Sequence, residues 1–457
     1  MSAALGRFFL RTCCAPNSSR YKATRSRFRA SERARTDRCT FTWSKPMSRP
    51  KPVLSIPLMA KKVPALVGHL DYQRVELSNK QKRLAGRYTL RPEIDLGRFT
   101  TRAVIDWLAI GVLLEKPTQF QWIQREIEGL LGRTPFVENI FGGRNDSSVG
   151  FDVRFQEPDI PTVLEAVAAI DAKFGLGMEP IVRSIEISVD FTPRVPSDLE
   201  RARIVRVLTN HILVEPDVIS NIRSRPRTVW GRGEDKVMRL LYDSGLLTPE
   251  ENKQFLIATD RDRAPFTDGT FELGAREAEA RWRVMDKIVD QQNVQAGTFL
   301  ALDDKSKRAR IEVTIDRPEV AALGVTFLSD LKKLNFTRLQ GRYFQFFLPT
   351  FSRQAELNPG VRSAITVWRD RQRTLKFIKT GNVGLKAMDE ALAEQRIELK
   401  RQALPGIHKR GLRLPNVDRI ATGAAGSFAA YDEMNDRVRV SLRNLGKRVA
   451  AGFGSVD

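Results

Sequence analysis

Between Gly269 and Asp316 the chain mixes cations and carboxylates on segments whose pattern predicts neighbouring strands. GTFELGAREAEARWRVMDK reads as a strand, a Gly-Ala-Arg turn and a second strand carrying Arg281, Arg283 and Lys287. RARIEVTID then alternates, with Ile311, Val313 and Ile315 on one face and Glu312, Thr314 and Asp316 on the other. Such a mixture suits a phosphodiester: cations neutralise phosphate, and carboxylate oxygens hold a hard divalent metal. The same pattern also describes a surface hairpin with solvated charges.

Other chemistries are narrower. The three histidines, His69, His211 and His408, form no His-hydrophobic-His pair, which excludes a histidine-built metal site and leaves a carboxylate-built one. The three cysteines, Cys13, Cys14 and Cys39, all lie near the N-terminus with no metal-ligand spacing and no disulfide framework, as expected in a reducing cytoplasm. Residues 221–240 gather Arg223, Arg225, Arg227, Arg232, Lys236 and Arg239 around Trp230. Basic side chains around an exposed aromatic can clamp a backbone and stack a base. Trp230 could equally anchor a loop to the core.

The elements that must position these groups follow from periodicity. Residues 103–114 predict a buried strand, 117–131 a helix ended by Gly132, 135–141 and 150–156 two strands, 160–174 a second helix and 181–191 a strand. That order predicts an α+β fold: a β-α-β-β-α-β core in which an antiparallel sheet carries helices on one face and leaves the other open. Helices are expected at 197–213, from Pro249, at 327–336 and at 384–403, and a strand at 342–349 with Phe344, Phe346 and Phe347 in the core.

At 457 residues the chain has room for two or three domains, and 42% hydrophobic content is ample for a core. Net charge is +22, which suits a polyanion, nucleic acid first. Most of it sits in the flanks: residues 1–58 hold 13 Lys/Arg against 2 Asp/Glu, and residues 371–457 hold 17 against 9. The expected organisation is a basic arm over 1–58, a linker over 59–95, a core over 96–350 and a basic helical and flexible appendage over 351–457, with 46–57 extended. The Arg- and Ser-rich N-terminus resembles a mitochondrial presequence; a disordered arm and an over-long start are the competing readings. No apolar run reaches about 18 residues, so no transmembrane helix is expected.

Several short stretches resemble plasmid and filamentous-phage initiators of rolling-circle replication. Gly274-Ala275-Arg276, Arg283-Val284-Met285-Asp286-Lys287 and Arg310-Ile311-Glu312-Val313 are similar to their G-S-R-x-S, R-[IV]-Y-[DE]-K and R-[IV]-E-[LV] segments. Ser184–Phe191 resembles R-[IL]-D-[IL]-A-x-D, and Ile105-Asp106-Trp107-Leu108 resembles the [VI]-D-W-L of the first core strand. The likeness runs over about residues 100–345, and Met285 stands where the initiators commonly have Tyr. It implies a cytoplasmic protein that binds origin DNA, with room for a single-stranded target and a homodimer. The implied reaction is Mg²⁺- or Mn²⁺-dependent nicking and joining through a phosphotyrosine, a DNA 3′-OH being released to prime synthesis. Glu186, Asp190 and Glu312 would hold the metal, and Arg276, Arg283 and Lys287 would neutralise the phosphate. Arg225, Arg227 and Trp230 would add DNA contacts. Of six tyrosines, Tyr343, flanked by Arg338 and Arg342, is the first nucleophile candidate and Tyr242 the second. The alternative is a non-catalytic DNA- or RNA-binding protein on the same scaffold. A mitochondrial ribosomal or RNA-processing factor is a third class.

Overall fold

A computed structural model describes residues 52–61, 68–77, 84–143, 146–230, 236–241, 248–293, 298–353, 361–410 and 428–454. Three strands come first: β1 (Leu54–Pro57), β2 (His69–Glu76) and β3 (Arg87–Pro92). There follow β4 (Phe99–Thr118), α1 (Phe120–Leu131), β5 (Phe136–Asn139), β6 (Ser148–Gln156), α2 (Ile160–Phe174) and β7 (Ile181–Pro193). The middle of the chain forms α3 (Asp198–His211), β8 (Arg227–Val229), β9 (Val237–Arg239), α4 (Pro249–Ile257), β10 (Thr270–Leu273) and β11 (Ala280–Lys287). Next are the ribbon β12 (Val289–Asn293) and β13 (Thr298–Ala301), then β14 (Arg308–Asp316), α5 (Glu319–Ala322), α6 (Phe336–Tyr343) and β15 (Phe347–Ser352). The last are α7 (Val361–Lys409), β16 (Phe428–Ala430) and α8 (Asp432–Gly452).

The expected β-α-β-β-α-β unit is present. The strands order as β5-β6-β4-β7 with every pair antiparallel, and β14, β11, β10, β8 and β9 extend the sheet to nine strands. A second sheet runs β1-β2-β3-β15-β16. In the large sheet the period-2 alternation sorts side chains by face. Ile185, Ile187, Val189 and Phe191 of β7 meet Ile311, Val313 and Ile315 of β14, and all are buried. Trp282 and Val284 of β11 continue this apolar face. Each such side chain contributes about 1.5–3 kcal/mol of transfer free energy. α3 packs against β7, β11 and β14 on this face, where Arg201 of the helix grips Asp286 of β11 at 2.7 Å.

Four expectations are corrected. Residues 59–95 do not form a linker, since β2 and β3 lie within them and β1 precedes them; Pro57 and Pro92 end strands there, a position where the missing N–H costs no ladder bond. The strand expected over 342–349 begins only at Phe347: Arg342 and Tyr343 close α6, whose Phe336, Leu339 and Tyr343 bury one helical face. The final segment is not a flexible tail, because α8 buries Met434, Val438, Leu442, Leu445 and Val449, a 3.6-residue stripe dispersed among charges. The 327–336 helix is reduced to a 3₁₀ turn, Leu328–Lys333. Among the described residues no helix is long and apolar enough to cross a membrane.

Candidate metal centre

The polar face of the large sheet is built by the same alternation that builds its core. β7 sends Ser184, Glu186, Ser188 and Asp190 to this side, between the buried isoleucines and valines. Register then sets neighbours: Asp190 faces Arg310, Ser188 faces Glu312, and Glu186 faces Thr314. Across the next ladder Glu312 faces Arg283, which in turn faces Glu272. β4 departs from strict pairing between Ile105 and Trp107, where one extra residue is accommodated opposite Glu186. Alternation from Arg102 and Val104, which lie opposite Asp190 and Ser188, already puts Asp106 on this face, and the bulge brings Trp107 there as well.

Carboxylate oxygens of Asp106, Glu186 and Glu312 lie within 4.8 Å of one another. Oxygens at that spread can share one hard cation, whose ligands stand about 2.0–2.6 Å away. Arg283 Nη2 donates to both oxygens of Glu186 at 2.9 Å and lies 2.7 Å from Glu312 Oε2. Distance alone makes the second contact an ion pair: Glu312 Oε2 is buried and receives no aligned hydrogen bond. Geometry decides here, since an N–H must point at its acceptor to satisfy it. Thr314 Oγ1 donates to Glu186.

Asp190 has another role. Arg310 Nε and Nη2 grip its two oxygens at 2.5 and 2.9 Å, and Arg308 Nε adds a contact at 3.0 Å. Arg310 also donates to Asp106 and lies 3.5 Å from Glu312 Oε1. Asp190 therefore orients an arginine that ties Asp106 to Glu312, and Asp106 takes the place expected for Asp190 among the three acids.

The three acids do not ionise alike. Burial pushes the Glu312 carboxyl up; Arg283 opposes, Glu186 and Asp106 push further, and the carboxyl ends at about 7. Burial also raises Asp106, but Arg310, Lys287 and the hydrogen bonds shared with Arg310 and Glu186 outweigh it and hold Asp106 below its ordinary value.

The tyrosine assignments fare differently. Tyr343 lies in the core, its hydroxyl donating to Glu319 and its carbonyl accepting from Trp282 Nε1 at 2.8 Å. Trp282 and Arg283 are adjacent on β11 and so point to opposite faces, which leaves Tyr343 across the sheet from the carboxylates. Burial and Glu319 push its phenol far above the ordinary value, the reverse of an activated nucleophile. Tyr242 lies outside the described residues.

The expected DNA contacts also separate. Arg225 is buried and donates to the carbonyls of Ile219 and Leu241 and to Asn252, while Arg227 pairs with Glu272 at 2.7 Å. Both hold the fold. Trp230 meets the Phe266 ring at 5.2 Å, the loop-anchoring alternative. Lys287 pairs with Asp290 at 2.9 Å, and Arg276 is exposed. Of the cations expected to meet phosphate, Arg283 pairs directly with the carboxylates, and Lys287 acts on Asp106 through its charge. Asp106 and Arg310 were legible only as parts of resembling stretches. The signal for Asp106 was one carboxylate within AVIDWLAIGVLL.

No family model and no curated protein matches this chain.

Proposed function

We propose that this chain binds nucleic acid as a replication-initiator-like protein and holds Mg²⁺ or Mn²⁺ between Asp106, Glu186 and Glu312 for phosphodiester chemistry on DNA. The observation that carries this reading is the convergence of those three carboxylates, Glu186 and Glu312 buried and Asp106 half-buried, one with an oxygen that no donor satisfies. The donor set is all oxygen and anionic, which fits a hard divalent cation. Such a cation, when bound, supplies Lewis-acid polarisation of a phosphate oxygen. The chain's own residues do the rest. Asp190 and Arg310 hold Asp106 in place, Thr314 orients Glu186, and the half-exposed Arg283 offers its outer edge to a phosphate. Tyr242 is the nucleophile candidate that remains.

A second reading rests on a specific observation. Arg283 pairs with both Glu186 and Glu312, so the cluster also works as an ion-pair network in a non-catalytic binder. Thermal unfolding in Mn²⁺ separates the two. The metal-centre reading expects a Tm rise with Mn²⁺ that Glu186→Gln and Asp106→Asn abolish, together with loss of metal-dependent nicking of supercoiled or single-stranded DNA and little change in DNA affinity. No Tm rise in the unmodified protein selects the network.

A further inference from the structure

Beyond the carboxylates, the same polar face carries exposed aromatic rings on its β5–β6 side. Phe136 of β5 is 48% exposed, and Phe141, in the turn that follows, is 57% exposed. Solvent-facing phenylalanines normally lose transfer free energy, so two on one sheet edge call for an explanation. Their placement is specific. Phe136 pairs with Arg154 across the ladder, and the Arg154 guanidinium carbon lies 5.2 Å from its ring centre and 4.5 Å from that of Trp107. Phe141 lies over Gly150 of β6, where a Cβ would come within 2.7 Å of the ring. The absent side chain is what lets this ring lie on the strand.

A cleft of about 330 Å³ opens beside these rings, with Phe136, Arg154, Arg183 and Arg317 among its walls. Its carboxylates are mostly engaged: Asp152 pairs with Arg183 at 3.1 Å and Asp316 with Arg281 at 2.7 Å, and Glu138 is exposed at the rim. Arg154 and the exposed Arg317 form no ion pair among the described residues. Ser184, on another wall, is two residues before Glu186 on the same face of β7, or about 7 Å along the strand. Aromatic faces joined by a guanidinium plane, beside unpaired cations and under a net charge of +22, match the chemistry of unpaired bases on a phosphate backbone.

We propose that Phe136, Phe141, Arg154 and Trp107 form a stacking platform for the bases of single-stranded nucleic acid, leading its backbone towards the carboxylate cluster. Duplex DNA is a poor fit, because its base faces are already stacked on one another. The proposal rests on the nucleic-acid reading above and adds the substrate's strandedness and the residues that sense it.

Fluorescence anisotropy with a labelled mixed-sequence single-stranded oligonucleotide, and with the same sequence as a duplex, tests it on the full chain. The single strand should bind more tightly. Phe136→Ala should weaken single-strand binding about tenfold, a typical loss for one stacked base, with duplex binding unchanged. Phe136→Tyr should restore affinity, because the aromatic face is kept. Phe136→Ala should leave the slope of log K against log salt for the single strand unaltered, whereas Arg154→Gln should reduce it by about 0.7. Equal single-strand affinity in the unmodified protein, Phe136→Ala and Phe141→Ala, or tighter binding of the duplex, overturns the platform. The Mn²⁺-induced Tm rise is read on the same variants and should not change. Loss of single-strand dependence with that rise intact overturns the platform alone. An absent rise with stacking intact overturns the metal centre alone.

Discussion

Burial pushes the Glu312 carboxyl upward, Arg283 and Arg310 pull it back, and Glu186 and Asp106 tip the balance to about 7. A carboxyl that binds its proton more tightly when folded stabilises the fold fully below its unfolded value of 4.5, and that contribution is lost as pH rises through about 7. The difference is on the order of 3 kcal/mol. Denaturant unfolding across this range should therefore show falling stability without metal. Glu312→Gln cannot ionise; its stability should change little over the same window and should exceed that of the unmodified protein at about pH 8. A bound divalent cation replaces the proton, so Mn²⁺ should raise Tm more at about pH 8 than at about pH 5. A uniform Mn²⁺ effect across pH would exclude Glu312 as a ligand. For Asp190 the expectation differs: Asp190→Asn should destabilise the fold by loosening Arg310, because a buried guanidinium that loses the charged partner gripping its Nε and Nη2 is costly.

At the scale of elements, two departures from regularity place side chains that regular structure would not. The β4 bulge puts Trp107 beside Asp106 on the polar face, opposite Glu186. The break in α7 is the second: Gly381 has φ 63° and ψ −161°, where the run from Val361 to Lys409 changes direction. A Cβ at this position would lie 2.8 Å from the Asn210 Cα and 3.0 Å from the Thr209 carbonyl oxygen. Only glycine allows both the dihedrals and the approach to the end of α3. Next to the break, Asn382 donates to the carbonyls of His211 and Phe347, tying α7 to α3 and to β15. Gly381→Ala should cost at least about 3 kcal/mol in chemical denaturation, from the Gly-only dihedrals and the backbone clash together. An alanine variant within about 0.5 kcal/mol of the unmodified protein would show that the break is not needed.

At the scale of the whole molecule, charge and core are separate. Residues 1–50 hold 12 Lys/Arg against 2 Asp/Glu, and the unit that follows begins at Lys51. The large sheet, by contrast, neutralises most of its own charge through pairs such as Arg310–Asp190, Arg283–Glu186 and Arg227–Glu272. Phosphate attraction should therefore come mainly from the flanks and the rims of the sheet. Affinity for DNA should fall steeply between about 50 and 200 mM salt, as release of counterions requires. Deleting residues 1–50 should lower both affinity and salt slope while leaving Tm unchanged, since β1 starts only at Leu54. Salt-independent binding would remove the electrostatic basis of every nucleic-acid reading.

Some of this was settled by sequence alone. The alternation of Ile185, Ile187, Val189 and Phe191, and of Ile311, Val313 and Ile315, is local information, because a strand's faces follow from parity. The helix over 160–174 was equally legible from its 3.6-residue spacing. Parity also placed Glu186, Asp190 and Glu312 on a common polar face. It could not say which of them converge, because register and bulges arise between strands that are distant in sequence. Thus Asp106, 80 residues before Glu186 and 206 before Glu312, joins the cluster through the register of β4 on β7, and Asp190 is diverted to Arg310. The setting of Tyr343 is hidden for the same reason: the nearby Arg342 is visible in the sequence, while Trp282 and Glu319, which bury it, are not. The aromatic edge is not legible in the sequence, because Phe136, Phe141, Arg154 and Trp107 come from separate segments and share a surface only when β4, β5 and β6 pair in register. Side-chain period is a property of the chain, but the company a side chain keeps is decided by the sheet.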